Sequence, residues 1–208
     1  MFGLPSIPIL LLSLPAVLWA ITFHEFCHGY VSYRLGDPTP EMRGRLTLNP
    51  LAHLDPIGAL MLLIFRFGWA KPVPIDPRYY KNPKRDIFLV SAAGVTGNIL
   101  TAILVGIIAR ILPLFILRNF AVMMFIQLMI IINIGLAVFN LIPVPPLDGS
   151  KLLYPFLPRK LLQKYFLLER YGMFILMGLL LLGIVQAIMG PVVQLVYHLV
   201  MPSYLWIM

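Results

Sequence analysis

Charge is what this chain of 208 residues has least of: 12% of its residues are Asp, Glu, Lys or Arg, about half the ~25% usual in soluble domains. Beside 60% hydrophobic residues, that shortage excludes an ordinary soluble enzyme and indicates an integral membrane protein. Cysteine is nearly missing. With Cys27 alone no intrachain disulfide can form, so the redox compartment stays open. The first 23 residues carry no charged side chain and lack the positive n-region of a signal peptide, which predicts a retained first helix. No internal repeat, low-complexity tract or Ser/Gly/Pro-rich linker interrupts the chain, and residues 1–208 read as one domain.

The few charges present are unbalanced, at net +8. They lie in short loops between apolar runs, the pattern of cytoplasmic membrane loops, which argues for a lipid bilayer and against nucleic acid as the partner. The expected fold is an all-α polytopic membrane protein with about four to five transmembrane helices. A first span runs from about Ile7 to Tyr33, long enough for a hydrocarbon core about 30 Å thick, and Arg34, Gly36, Asp37 and Pro38 stop it. Arg43–Leu48 reads as a short strand. The apolar run after Pro56 is too short to cross, so residues 56–70 are expected to be re-entrant or interfacial, and Lys71-Pro72-Val73-Pro74-Ile75 to be extended. The two form a re-entrant, extended hairpin between the first and second spans.

Ile87–Ala109 is a second span, with Ala93, Gly97 and Thr101 as a small-residue face for close helix approach. The third lies within Asn119–Leu147. A fourth runs from near Tyr171 to about Met189, where Gly190-Pro191 is expected to break it, and residues 191–208 then form an interfacial helix or a short fifth span. Segments 34–56, 71–86 and 151–170 hold 3, 5 and 5 basic residues, against two in 110–118. By the positive-inside rule the three rich segments are cytoplasmic and the amino terminus is outside.

Polar chemistry in this apolar setting concentrates at His24-Glu25-Phe26-Cys27-His28. Helix positions four apart share a face, so His24 and His28 can offer nitrogens to one metal ion, while Glu25, about 100° around the axis, can reach a metal-activated water. The plain alternative is a pair of helix histidines bonded to neighbouring helices. At 1.5 Å per residue the pair lies roughly 10 to 15 Å below the surface where Arg34 emerges. A catalytic zinc takes three protein ligands and keeps one position open. Asp148, delivered by the helix-breaking Pro143, Pro145 and Pro146 at the cytoplasmic end of the third span, is the candidate third ligand. Its alternative is a solvated carboxylate at an ordinary helix exit. Cys27, offset from the histidine face, reads as packing. His53 is either a gating residue or extra ligand near the site, or a cap of the re-entrant segment through Asp55, and His198 reads as interfacial.

The sequence resembles the site-2 proteases, intramembrane zinc metalloproteases, in its small members. The resemblance rests on His24–His28, on Asn140-x-x-Pro143-x-x-Pro146-Leu147-Asp148-Gly149, on Ala93-Gly94-Val95-Thr96-Gly97-Asn98, and on Asn49–Pro56. No stretch is long enough for the PDZ or CBS modules that many members insert. The resemblance implies Zn²⁺ held by His24, His28 and Asp148, Glu25 as catalytic acid/base, and Asn140 and Asn98 as substrate-binding or carbonyl-polarising groups. It implies hydrolysis, by a zinc-activated water, of peptide bonds in a transmembrane protein substrate, within a multi-pass protein of a prokaryotic plasma membrane whose site faces the cytoplasm. The 71–77 segment would offer a strand edge to the unwound substrate. Two rivals are a catalytically inactive scaffold or chaperone of the same fold, which would have no use for Glu25, and a metal transporter, whose polar groups would be spread along the bundle axis. Substrate identity and oligomeric state are not written in the sequence.

Overall fold

The computed structural model describes residues 7–58 and 70–201. Its architecture is all-helical. Among the described residues three helices are long and apolar enough to cross a membrane: α1 (Ile7–Arg34), α4 (Pro83–Ile111) and α6 (Phe120–Asn140). Short helices lie between and after them: α2 (Thr39–Met42), α3 (Pro50–His53), α5 (Leu114–Leu117) and α7 (Asp148–Leu153). The chain ends in α8 (Arg159–Leu181) and α9 (Ile184–Val200), bent 74° to one another and counted together as a fourth, broken span. The count therefore sits at the lower end of the expected four to five.

Local chemistry sets the helix ends. Gly36, at φ +105°, closes α1 beyond Arg34, a conformation glycine adopts without the Cβ penalty. Pro83 opens α4 at a first-turn position where its missing N–H costs nothing, and Asp86 accepts the Asn82 N–H at 3.0 Å. Asn119 caps α6 by accepting from the Ala121 and Val122 N–H groups at 3.0 and 3.3 Å.

α4 is the central element, packed against both α1 and α6, which also touch each other. An apolar core of Ala102, Ile126, Ile130 and Ile134 joins α4 to α6, and the end of α9 closes it at Met201. A smaller core of Leu147, Leu176 and Val185 ties α8 and α9 to the turn after α6.

Two local expectations are corrected. Residues 43–48 form turns and bends, with Gly44 at φ +63°, and among the described residues no strand lies beside them to pair with. Arg45 instead donates to the Lys71 carbonyl at 2.5 Å. The fourth span breaks at Gly183 rather than at Gly190-Pro191. Gly183 is left-handed at φ +71°, and the Leu182 and Gly183 N–H groups fold back onto Gly178 and Leu180 carbonyls at 3.0 and 3.1 Å, a glycine-terminated helix end. Pro191 sits inside α9, as prolines do in membrane helices.

Most of the expected re-entrant segment, residues 59–69, lies outside the described residues. Its flanks meet: Leu54 and Ala70 pair as an antiparallel bridge, and the Lys71 N–H donates to the His53 carbonyl at 2.9 Å. From Lys71 to Asp76 the chain is extended, as its prolines require.

Candidate metal centre

His24 and His28 face α4 and the start of α7, both buried. His28 Nδ1 lies 2.7 Å from the Val90 carbonyl, and His24 Nδ1 lies 2.6 Å from Asn98 Oδ1. The Asn98 amide orientation is fixed, because its Nδ2 donates to the Ala20 carbonyl at 3.0 Å and to Asn133 Oδ1 at 2.9 Å. Both Nδ1 atoms thus face oxygens that can only accept, so each carries the proton and leaves Nε2 with a lone pair.

Those lone pairs converge. His24 Nε2 and His28 Nε2 are 3.0 Å apart, and Asp148 Oδ2 lies 3.1 and 3.0 Å from them. Neutral imidazoles in this tautomer place three acceptors in a triangle with no proton between them, which a shared cation resolves. Tetrahedral ligands at 2.0–2.1 Å from zinc stand about 3.3 Å apart, close to the triangle observed. Among the described residues these three are the group able to hold a metal ion.

Glycines make the site possible. A Cβ on Gly94 of α4 would lie 2.5 Å from His28 Nε2 and 2.7 Å from His24 Cε1, and one on Gly97 2.6 Å from Cys27 Sγ. α4 therefore meets α1 through Gly94, Gly97 and Asn98, with Gly97 on the face expected for it. Asp148 is delivered by the proline turn after α6. A Cβ on Gly149 would strike the Leu141 carbonyl, so only glycine lets α7 tuck under the end of α6.

Glu25, half-buried, accepts the Val73 N–H on Oε2 at 2.8 Å. With His24 it borders a cavity of about 380 Å³ that Pro72, Asn140, Pro146 and apolar side chains of α6 and α8 complete.

The match to known proteins decides the family. The sequence is 32% identical over 198 residues, 93% of this chain and 89% of the relative, to "Putative zinc metalloprotease YwhC" of Bacillus subtilis (strain 168). The chain belongs to peptidase family M50. The model of that family matches residues 116–182, which include α6 and Asp148. Two further relatives are named "Putative zinc metalloprotease Rip2". The one from Mycolicibacterium smegmatis is 30% identical over 74% of this chain and 60% of its own length. The one from Mycobacterium tuberculosis (strain ATCC 25618 / H37Rv) is 33% identical over 67% of this chain and 55% of its own length. This chain thus spans little more than half of the Rip2 proteins. No solved structure matches. The M50 protein is a metalloprotease by class, and its donor set of two imidazoles and one carboxylate suits Zn²⁺.

The remaining sequence candidates of this M50 protease separate. Asn140 borders the cavity, its Nδ2 donating to the Leu136 carbonyl at 3.0 Å. Asn98 has no exposed surface and is spent on His24, Ala20 and Asn133. His53, also fully buried, donates from Nε2 to the Thr47 carbonyl at 2.8 Å, while Asp55 alone accepts the Gly58 N–H. It stands outside the metal group. Cys27 packs against Gly97, and the His198 ring lies beside Tyr197 in α9. In the 71–77 segment the N–H groups of Lys71, Val73 and Asp76 go to the His53 carbonyl, Glu25 and Asp37. Sequence reasoning missed Asn133 and the Val90 carbonyl, the supports of Asn98 and His28. An isolated Asn in an apolar span was the available signal for the first, whereas a backbone carbonyl has none.

Proposed function

We propose that this M50 protease is an intramembrane zinc endopeptidase that hydrolyses peptide bonds of membrane-embedded proteins, in a multi-pass protein of a prokaryotic plasma membrane with the site toward the cytoplasm. The observation that carries the reading is the convergence of His24 Nε2, His28 Nε2 and Asp148 Oδ2 within 3.1 Å, beside a carboxylate facing the same cavity.

His24, His28 and Asp148 hold the metal in this reading. Bound there, zinc supplies Lewis acidity and lowers the pKa of water toward about 7. Glu25 takes the proton of the attacking water, its second oxygen anchored by the Val73 N–H so that the carboxylate keeps one orientation. Asn98 acts as a positioning residue through His24, and Asn140 contacts the substrate main chain. A helical substrate hides its peptide bonds within its own backbone hydrogen bonds. Substrate therefore enters unwound.

The test is cleavage of a single-span membrane protein by wild type and by Glu25→Gln, with zinc content measured for both. Glu25→Gln is expected to keep zinc and to lose about 100-fold or more in rate, and equal cleavage would overturn the assignment. A reporter fused after Arg118 is expected outside the cytoplasm. A cytoplasmic signal would reverse the orientation.

A further inference from the structure

The cavity that His24 and Glu25 border is walled mostly by apolar side chains. Its polar groups are His24, Glu25 and Asn140, supplied by α1 and α6. The wall that α8 supplies is Met173 and Leu176, three positions apart and so on one helix face. Across from them stand Leu136 and Phe139 of α6. α8 brings no metal ligand and no base, so its part in the site is shape.

That shape is built closely. A Cβ on Gly172 would collide with the Pro145 carbonyl, so α8 seats directly on the proline turn that delivers Asp148. The neighbouring Met173 and Leu176 thereby line the cavity that His24 and Glu25 border. Leu176 is 2% exposed and packs with Leu147 and Val185, while Met173 is 45% exposed. One forms a floor and the other a rim, the latter from a flexible thioether that adapts to what it covers. About 380 Å³ lies at the small end of ligand pockets, which run to ~1,000 Å³. It holds an extended backbone and one or two side chains.

Resting on the protease reading above, we propose that Met173 and Leu176, opposite Leu136 and Phe139, form a specificity subsite for one large apolar side chain of the unwound substrate, at a residue flanking the scissile bond. The substrate class is then membrane proteins with Leu, Met or Phe at that position. Glycine there leaves the subsite empty, and a charged side chain is buried among Leu, Met and Phe with no partner. A pocket of this kind discriminates by about 10-fold or more for each methylene that it fills.

The experiment uses the full-length, zinc-loaded protein in liposomes. A single-span reporter has its cleavage site mapped by mass spectrometry, and each of the two residues flanking the bond is then varied through Gly, Ala, Leu, Met, Phe and Asp. At one of them, kcat/KM for Leu, Met and Phe is expected to exceed that for Gly and Asp by about 10-fold or more. Met173→Trp, a change at the exposed rim, is expected to lower kcat/KM for the Phe reporter about 10-fold and to leave the Ala reporter within about threefold. Leu176→Ala, which deepens the floor, is expected to raise the Phe:Leu ratio. Should Leu176→Ala fail to fold, the Met173 variant decides. A flat profile at both flanking positions, or an equal loss on the Ala and Phe reporters with Met173→Trp, overturns the subsite and leaves the protease standing. Failure of the zinc-loaded wild type to cleave any reporter removes the protease reading and the subsite with it.

Discussion

Asn98 Oδ1 holds the His24 Nδ1 proton at 2.6 Å, and Asn98 is itself held by Ala20 and Asn133. The tautomer that points a His24 lone pair at the metal is thus set from α4 and α6, two helices away from the His-Glu motif. Such outer partners are typically worth 10- to 100-fold in metal affinity. Asn98→Ala is therefore expected to weaken zinc binding by about that factor, read by chelator competition. Asn98→Asp keeps the acceptor for His24 but cannot donate to Asn133, and should hold zinc better than the alanine variant. Equal affinities for the two would show that the bond to His24 does not set the tautomer.

Gly94 gives a sharper test of the same centre. A methyl group there arrives 2.5 Å from His28 Nε2, in the space that a ligand atom must share with the metal. Gly94→Ala improves helix propensity, so helix content should persist by circular dichroism while zinc stoichiometry falls toward zero. Full zinc occupancy in a folded Gly94→Ala protein would mean that α4 can withdraw without cost.

The chemistry of the site was legible because it resides in short, fixed spacings. His24 and His28 four apart on a helix, and a proline turn ending in Asp148, carry their geometry in the sequence. The spans were legible too, since each is a long apolar run, the first interrupted only by the His24–His28 motif. What sequence missed depends on approach between helices. That Gly94 meets both histidines is a matter of how closely α4 approaches α1, which small-residue spacing alone leaves open, and the orientation of Asn98 depends on a neighbour 35 positions away. Residues 43–48 show the converse failure: a short strand was expected, but the segment turns and Arg45 bonds the Lys71 carbonyl instead.

The break between α8 and α9 allows two glycines to be told apart. Gly183 is left-handed at φ +71° and Gly190 is helical, and neither would bring a Cβ within 4 Å of a neighbour. Sterics therefore cancel and backbone preference decides. Gly183→Ala is expected to cost about 1–2 kcal/mol, whereas Gly190→Ala should gain roughly 0.5–1 kcal/mol. Thermal unfolding in detergent measures both. The opposite pair of signs would move the break back to Gly190.

A buried network fixes the extended segment to α1 and makes stability depend on pH in two directions. Asp37, with no exposed surface, accepts from the Ser32 hydroxyl, the Asp76 N–H and the Thr39 N–H at 2.8, 2.8 and 2.9 Å. Because the Ser32 proton goes to Asp37, Tyr80 donates to Ser32 at 2.7 Å. Burial raises the Asp37 carboxyl, but these hydrogen bonds outweigh it and hold it below the ordinary carboxylate range. Burial pushes the Tyr80 hydroxyl up to about 12. A depressed carboxylate contributes stability that is complete above its unfolded pKa of about 3.9 and is lost as pH falls through the folded value. A raised phenol contributes stability present below about pH 10 and lost as pH climbs toward 12. Asp37→Asn is thus expected to cost about 2 kcal/mol at pH 7, from weakened bonds to a charged acceptor, with the gap to wild type narrowing below about pH 4. Tyr80→Phe should cost about 1 kcal/mol at pH 7 and remove part of the loss between pH 10 and 12. Unfolding midpoints across pH 3–12 provide the check, and a gap for Asp37→Asn that widens on acidification would contradict the network.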